Sequence, residues 1–198
     1  TTLEDWVEEK LGASDVLRSG VVHRLDKDTS GVMVIAKTRQ SFADLQRQFK
    51  QRLIQKTYLA LVHGRIEPKE GAMSLPLGRS GVNRHKFVVT IRGKVAETGW
   101  QVEKYLQKDG EVFSLVKLFP KTGRTHQLRV HLAHLGHPIA GDSHYLPSKK
   151  VKSDALWCRR QFLHAQSLCF LFNGTKQCFE AKLAGDLKLV LQMVRNYL

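Results

Sequence analysis

Two dipeptides, Asp109-Gly110 and Asn173-Gly174, restrict the folding of this chain more than any other feature. Each lies between apolar stretches, and each offers residues tolerant of positive φ, as a two-residue hairpin turn requires. A turn that short joins only antiparallel neighbours, because a parallel pair needs a crossover of about a dozen residues or more. The first turn links strands on either side of 109–110; the second joins 168–172 to 177–181. Further strands are predicted at 32–36, a short run rich in β-branched residues, at 56–62 and at 87–91.

Helical signals are fewer. Thr2-Leu3-Glu4-Asp5 has the form of a capping box opening a short helix, with Leu3, Trp6 and Val7 inward and Gly12 as its stop. Phe42, Leu45, Phe49 and Leu53 recur at helical spacing. Thr125 can cap a helix with Leu128, Leu132 and Leu135 on one face, ended by Gly136 and Pro138. Asp186 can cap a last helix through Leu187, Val190, Leu191 and Val194. Strands and helices do not alternate regularly, which favours an α+β class over a doubly wound sheet. The 198 residues, 42% of them hydrophobic, suffice for one core and a single domain, with no internal repeat or low-complexity tract.

Charge points outward, to a partner. Thirty-two Lys and Arg stand against 18 acids, a formal net charge of +14. Such an excess favours a polyanion, since contacts to phosphates release condensed counterions; a basic protein with no such partner is the other reading. Residues 71–96 hold no acid but carry Arg79, Arg84, Lys86, Arg92 and Lys94, and the loop 142–160 carries Lys149, Lys150, Lys152, Arg159 and Arg160. From these clusters Arg79, Arg84, Lys86, Lys149, Lys150 and Lys152 are the expected nucleic-acid contacts. The three cysteines are odd in number and lack the spacing of a zinc site. A reduced, cytoplasmic setting fits them (an organelle would fit as well), with core packing as the expected role of Cys169 and Cys178. No stretch is apolar enough to span a bilayer and the opening residues lack a signal-peptide pattern, so a soluble protein is expected.

Two segments carry chemistry. In the first, His23 to Gly31, a charge-dense loop runs into an apolar stretch, with Asp26 between Arg24 and Lys27. Such loops can present reactive groups, and they can equally be surface turns with local ion pairs of little energy. In the second, Lys121 to Arg129, Gly123 permits close approach and a helix starting near Thr125 offers free N–H groups to an anion. Arg124 can take a carboxylate or phosphate bidentately, while the segment lacks the ending of a nucleotide-binding loop. His126, His131, His134 and His137 invite a metal, but no cysteine or nearby carboxylate completes a set; packing, capping and an RNA-facing surface suit them better. Tyr58 reads by itself as half-buried strand packing.

Taken together, these segments resemble the RluA-like family of pseudouridine synthases. The matching stretches are His23-Arg24-Leu25-Asp26 through Thr29-Ser30-Gly31, Lys56-Thr57-Tyr58-Leu59-Ala60, and Gly123-Arg124-Thr125-His126-Gln127-Leu128-Arg129-Val130-His131. Gly136-His137-Pro138-Ile139, Gly141-Asp142 and Leu163-His164-Ala165 follow in the family's order. The family's domain usually begins with further strands and an Asn-Lys-Pro-like motif, and many members carry a small RNA-binding domain upstream. This sequence resembles the catalytic domain alone, 1–198, without those parts.

The resemblance implies a mixed, mainly antiparallel sheet with flanking helices and a central cleft. It implies isomerisation of uridine in structured RNA, ribosomal or transfer, with no metal and no nucleotide or other cofactor. Asp26 is then the catalytic aspartate, as nucleophile at C1′ or as an aid to deprotonation at C2′. Arg124 matches the arginine that pairs with it, Tyr58 the aromatic that stacks on the base, and Arg24 the residue that replaces the flipped uridine. Leu128 would wall the pocket, with Thr125, His126 and Arg129 as further substrate contacts. A monomer is expected. A non-catalytic RNA-binding module on the same scaffold accounts for the charge equally well, but has no need of Asp26, Tyr58 and Arg124 together. A phosphodiesterase built on the histidines lacks both a metal set and a paired base.

Overall fold

In the computed structural model, residues 2–12 and 16–197 are described. The first helix, α1 (Leu3–Leu11), has Thr2 as its N-cap: the Thr2 hydroxyl accepts from the Asp5 N–H at 3.1 Å, and the Thr2 N–H donates to the Asp5 carboxylate at 2.7 Å. Of its three expected inward residues only Val7 is buried; Leu3 and Trp6 are exposed. A single 3-10 turn, Leu17–Gly20, follows, then the two-residue strand β1 (Ser30–Gly31). The stretch 32–36 is not the strand its composition predicts. Its N–H groups go to scattered partners, Val32 to the Ala165 carbonyl, Val34 to the His23 ring and Ala36 to the Gly20 carbonyl. A strand needs one continuous ladder, which these partners do not form.

Helix α2 (Arg39–Lys50) is capped by Thr38 and Ser41 and buries Phe42, Leu45 and Gln48. Leu53 lies past its end and is exposed. Gln48 is a polar residue on the inward face because its amide closes two bonds with Leu171, donating to the carbonyl at 2.7 Å and accepting from the N–H at 2.9 Å. Seven strands and two helices succeed it: β2 (Gln55–His63), β3 (Glu70–Ser74), β4 (Leu77–Arg79), β5 (Phe87–Val89), β6 (Glu97–Lys108), β7 (Glu111–Pro120), α3 (Gln127–His134), α4 (Ser148–Asp154) and β8 (Leu163–Phe172). The chain closes with β9 (Thr175–Glu180), α5 (Gly185–Gln192) and β10 (Arg195–Asn196).

The class is α+β. One sheet runs β1-β8-β2-β7-β6-β10, with β9 alongside β8 and β3 alongside β6; every pairing is antiparallel except β1 with β8. Both turn dipeptides behave as expected: Asp109 and Gly110 have φ of 49° and 78°, Asn173 and Gly174 of 50° and 74°. β4 and β5 form a separate ribbon that packs on α3 through Leu77, Val130, Phe87 and Tyr145. The main core joins β2, β6, β7, α3 and α5, whereas a second cluster sets Leu168 and Phe170 of β8 against Phe42 and Leu45 of α2. β8 carries a bulge against β2, with Thr57 opposite Ser167, Tyr58 opposite Ala165, and Gln166 the extra residue.

Three other expectations change. Ala184, not Asp186, occupies the N-cap of α5; Asp186 sits in the first turn, where both carboxylate oxygens accept from Arg160 at 2.6 and 2.9 Å. Cys169 and Cys178 face each other across β8–β9 and are joined as a disulfide, instead of packing as free thiols; Cys158 is the buried free cysteine. Leu135 ends α3 at the surface, leaving Leu128 and Leu132 to the core.

Candidate active site

The loop 23–31 crosses the sheet edge and is held there residue by residue. Gln161 donates to the Lys27 carbonyl at 2.8 Å and the Thr29 hydroxyl at 3.0 Å, and Arg160 donates to the Asp28 carbonyl at 2.8 Å and the Ser30 hydroxyl at 3.1 Å. Gly31 has φ of 130° and lies so close to β8 that a Cβ there would stand 2.2 Å from the Ala165 carbonyl oxygen, so no other residue fits. His23, at the loop's start, stacks on Phe49 with ring centroids 4.8 Å apart and accepts from the Val34 N–H at 3.1 Å. Burial, then the Lys56 cation, push its pKa down to about 4, so its ring is neutral at ordinary pH.

A second loop faces it. Gln127 is buried at the start of α3 and makes four bonds: it accepts from the Thr122 hydroxyl (2.7 Å) and the Arg124 N–H (3.0 Å), and donates to the Glu97 carbonyl (2.9 Å) and the Thr98 hydroxyl (3.0 Å). The role of helix start expected of Thr125 falls to His126, which is in the left-handed region with φ of 56° and gives no side-chain cap. Gln127 ties down the loop ahead of the helix, accepting from the Arg124 N–H. Behind it His131 is fully buried. Its Nε2 donates to the Leu75 carbonyl at 3.2 Å, which leaves Nδ1 to accept from Thr98 at 2.9 Å, and burial holds its pKa down.

Between the loops lies an open cleft of about 110 Å³ whose walls include Arg24, Asp26, Lys56, Tyr58, Arg124, Thr125, Leu128 and Leu163. Arg129 reaches it from beneath. Its guanidinium is held bidentately by Asp142, at 2.7 and 2.8 Å, and its remaining terminal nitrogen stands 3.6 Å from an Asp26 oxygen, an ion pair slightly too long for a hydrogen bond. Side-chain exposure falls from 19% at Asp26 to 3% at Arg129 and 0% at Asp142. The cation is thus fixed in the interior and the carboxylate is left reachable. Tyr58, on β2 beside Asp26, has its phenol pushed up to about 12 by burial and then by the Asp26 charge. It keeps its proton at ordinary pH and can donate, not abstract.

A match to the family model described as RNA pseudouridylate synthase, over residues 2–134, decides which family carries this cleft. The chain belongs to the RNA pseudouridylate synthase family. Relatives include "Ribosomal large subunit pseudouridine synthase D" of Nitrosomonas europaea, 41% identical over 92% of this chain and 53% of its own. "Dual-specificity RNA pseudouridine synthase RluA" of Yersinia pestis is 45% identical over 75% of this chain and 69% of its own. Among solved structures, "Human RNA Pseudouridylate Synthase Domain Containing 1" superposes with a TM-score of 0.78 at 28% identity, over 91% of this chain and 74% of that one. The chain spans a little over half the length of the first curated relatives it matches.

In this family member, most of the predicted site residues line the cleft, and His126 does not. Asp26, Tyr58, Arg24, Arg124, Thr125 and Leu128 share one cleft. The ion pair with Asp26, however, is made by Arg129, where the resemblance implied Arg124. Arg124 instead donates from the rim to the Val95 carbonyl at 3.2 Å. The reason is position on α3: Arg129 lies inside the helix and is aimed by Asp142, whereas Arg124 precedes it in an exposed loop. His126 bonds to the Tyr145 hydroxyl at 2.8 Å, and that hydroxyl accepts from the Phe87 N–H at 3.0 Å, so the β4–β5 ribbon is tied to the cleft. Arg79 and Arg84 are exposed on that ribbon and Lys86 half-buried; Lys149 and Lys152 are exposed on α4. Lys150 is spoken for, its ammonium 2.5 Å from Glu111. Sequence reasoning missed Lys56, Gln127 and Asp142 as site residues, although all three stand in stretches shared with the family.

Proposed function

We propose that this chain is the catalytic domain of an RNA pseudouridine synthase, an isomerase acting on uridine in structured RNA of the ribosomal or transfer kind. The observation that carries the reading is the meeting of Asp26, Tyr58 and buried Arg129, from three separate elements, at one open cleft. In the reaction the N1–C1′ bond breaks and a C5–C1′ bond forms; N1 gains a proton and C5 loses one, so no oxidant, reductant or leaving group is called for. Asp26 engages the sugar, at C1′ as nucleophile or at C2′ as base. Arg129 sets a fixed cation 3.6 Å from its carboxylate. Tyr58 lies against the base and supplies a proton donor. Because C1′ and C5 must turn past one another outside the stack, the nucleotide is flipped, and exposed Arg24 at the cleft mouth fills its place.

The name of a relative that refers to the large ribosomal subunit supports ribosomal RNA as the first substrate to try, and that of a relative with dual specificity supports trying a second class, transfer RNA, beside it. The test is release of hydrogen from C5 of labelled uridine in such transcripts. Asp26→Asn should lower that release by about a thousandfold or more while RNA affinity changes only a few-fold. Release by the variant near the wild-type rate defeats the reading.

A further inference from the structure

Among the charged groups of the cleft, Lys56 has partners that fall short of its charge. Its ammonium carries three donors. One goes to the Thr122 carbonyl at 3.1 Å, and no carboxylate of the described residues pairs with it. Asp26, the acid of the same cleft, is turned to Arg129. The remaining groups around Lys56 are the neutral His23, the protonated Tyr58 and the cations Arg24 and Arg124, none of which offsets a positive charge. Gly123 leaves the space before the ammonium open: a Cβ there would be 3.9 Å from Nζ. Burial without a counter-charge is costly, and it holds the Lys56 pKa down to about 8.

We propose that Lys56 is a phosphate anchor: bound RNA sets a backbone phosphate against its ammonium, next to the nucleotide that reaches Asp26. A base carbonyl could take a hydrogen bond from it but would leave the charge unmatched, whereas RNA brings an anion at every nucleotide. The proposal rests on the reading of the cleft as an RNA site, and its test is kept separate from catalysis.

The measurement is the salt dependence of affinity for a short structured stem-loop RNA, for the wild type, Lys56→Met and Lys56→Arg, at about pH 7 and about pH 9, either side of the Lys56 pKa. One phosphate contact contributes about 0.7–0.9 to the slope of log affinity against log salt. At the lower pH the wild-type slope should exceed that of Lys56→Met by this amount. At the higher pH the wild type should lose affinity relative to Lys56→Arg, because unbound Lys56 must first take up a proton there and a guanidinium does not titrate. Equal wild-type and Lys56→Met slopes at the lower pH overturn the proposal. So does a loss of affinity with unchanged slope, which would mark Lys56 as a partner of a neutral base or as a brace for the 121–125 loop. Should Lys56→Met not fold, the wild type against Lys56→Arg decides: parallel behaviour across the two pH values overturns it. Release of C5 hydrogen is followed in the same samples. A slope effect without release leaves the anchor standing and defeats the synthase reading; release without a slope effect does the reverse.

Discussion

Two buried aspartates, Asp142 and Asp154, each hold a basic side chain, and they do so to opposite ends. Asp142 grips Arg129 with both oxygens and takes the N–H groups of His144 and Tyr145 at 3.0 and 3.3 Å, so its own acceptors are filled. The third nitrogen of Arg129 is left to face the partly exposed Asp26 in the cleft. Asp154 takes the Gly141 N–H at 2.8 Å and the Nε2 of His63 at 2.9 Å. His63 then faces Glu111 at 3.2 Å and Lys150 at 3.3 Å, and those two pair with each other. One chain of charges ends open at a cleft; the other closes on itself. Burial of an acid beside a base therefore does not mark a reactive site. What marks it is a polar group at the end of the chain whose last partner is missing.

The largest test of this contrast is to remove each aspartate. Asp142→Ala strands a buried arginine and should cost about 3–5 kcal/mol of stability. Turnover per folded molecule should collapse as well, since Arg129 loses its aim. Asp154→Ala should cost about 1–3 kcal/mol, through the unpaired Gly141 N–H and His63 ring, with turnover per folded molecule unchanged. Urea unfolding together with single-turnover rates separates the two, and an equal fall in turnover for both variants would break the comparison.

A smaller effect attaches to acid. His23 is neutral in the folded protein down to about pH 4, while in the unfolded chain it binds a proton near pH 6.5. Stability should therefore decline as pH falls from about 6.5 towards about 4, by at most about 3 kcal/mol. His23→Gln, which can still accept from the Val34 N–H, should flatten that part of the curve. An unchanged pH dependence in thermal melts would remove His23 as its source.

The smallest effect concerns α4. Lys150 is neutralised by Glu111, so Lys150→Ala should barely alter the salt slope of RNA affinity. Lys149→Ala or Lys152→Ala, from the same helix but exposed, should each lower it by about 0.7–0.9 if that face meets RNA. A drop for Lys150 as large as for its neighbours would mean that the closed cluster opens on binding.

What the sequence made legible was whatever local chemistry decides. The capping box at Thr2, the helix at Phe42 and the two turns are each set by residues within a few positions of one another, and they stand where expected. The cleft's composition was legible from the motifs, since Asp26, Tyr58, Arg24, Arg124, Thr125 and Leu128 all arrive at it. Partnerships across long sequence gaps were not. Arg129 takes its direction from Asp142, thirteen residues on, and Lys150 is matched by Glu111, 39 residues back. Spacing carries no signal for either. The expected start of α3 at Thr125 failed for a similar reason, because Gln127 anchors to Glu97 and Thr98 of β6, a strand 30 residues away.

The bulge at Gln166 explains why β8 was half hidden, its expected start at 168 falling five residues late. Leu163 and Ala165 are separated from Leu168 and Phe170 by an odd step, so strict alternation would divide them between the two faces of the sheet. Opposite Ala60, Tyr58 and Lys56 on β2 stand Leu163, Ala165 and Leu168, all on one side, because the bulge absorbs Gln166 and so keeps the phase. Length is therefore not a free variable along this strand in evolution. A single residue inserted between Leu168 and Phe170 would turn the Phe170 side away from α2, whereas deleting Gln166 would leave Leu163, Ala165, Leu168 and Phe170 at even steps and the second cluster in place. Insertions tolerated at the 173–174 turn should be purged a few residues earlier, a boundary that lineages of this domain would record in where their gaps fall.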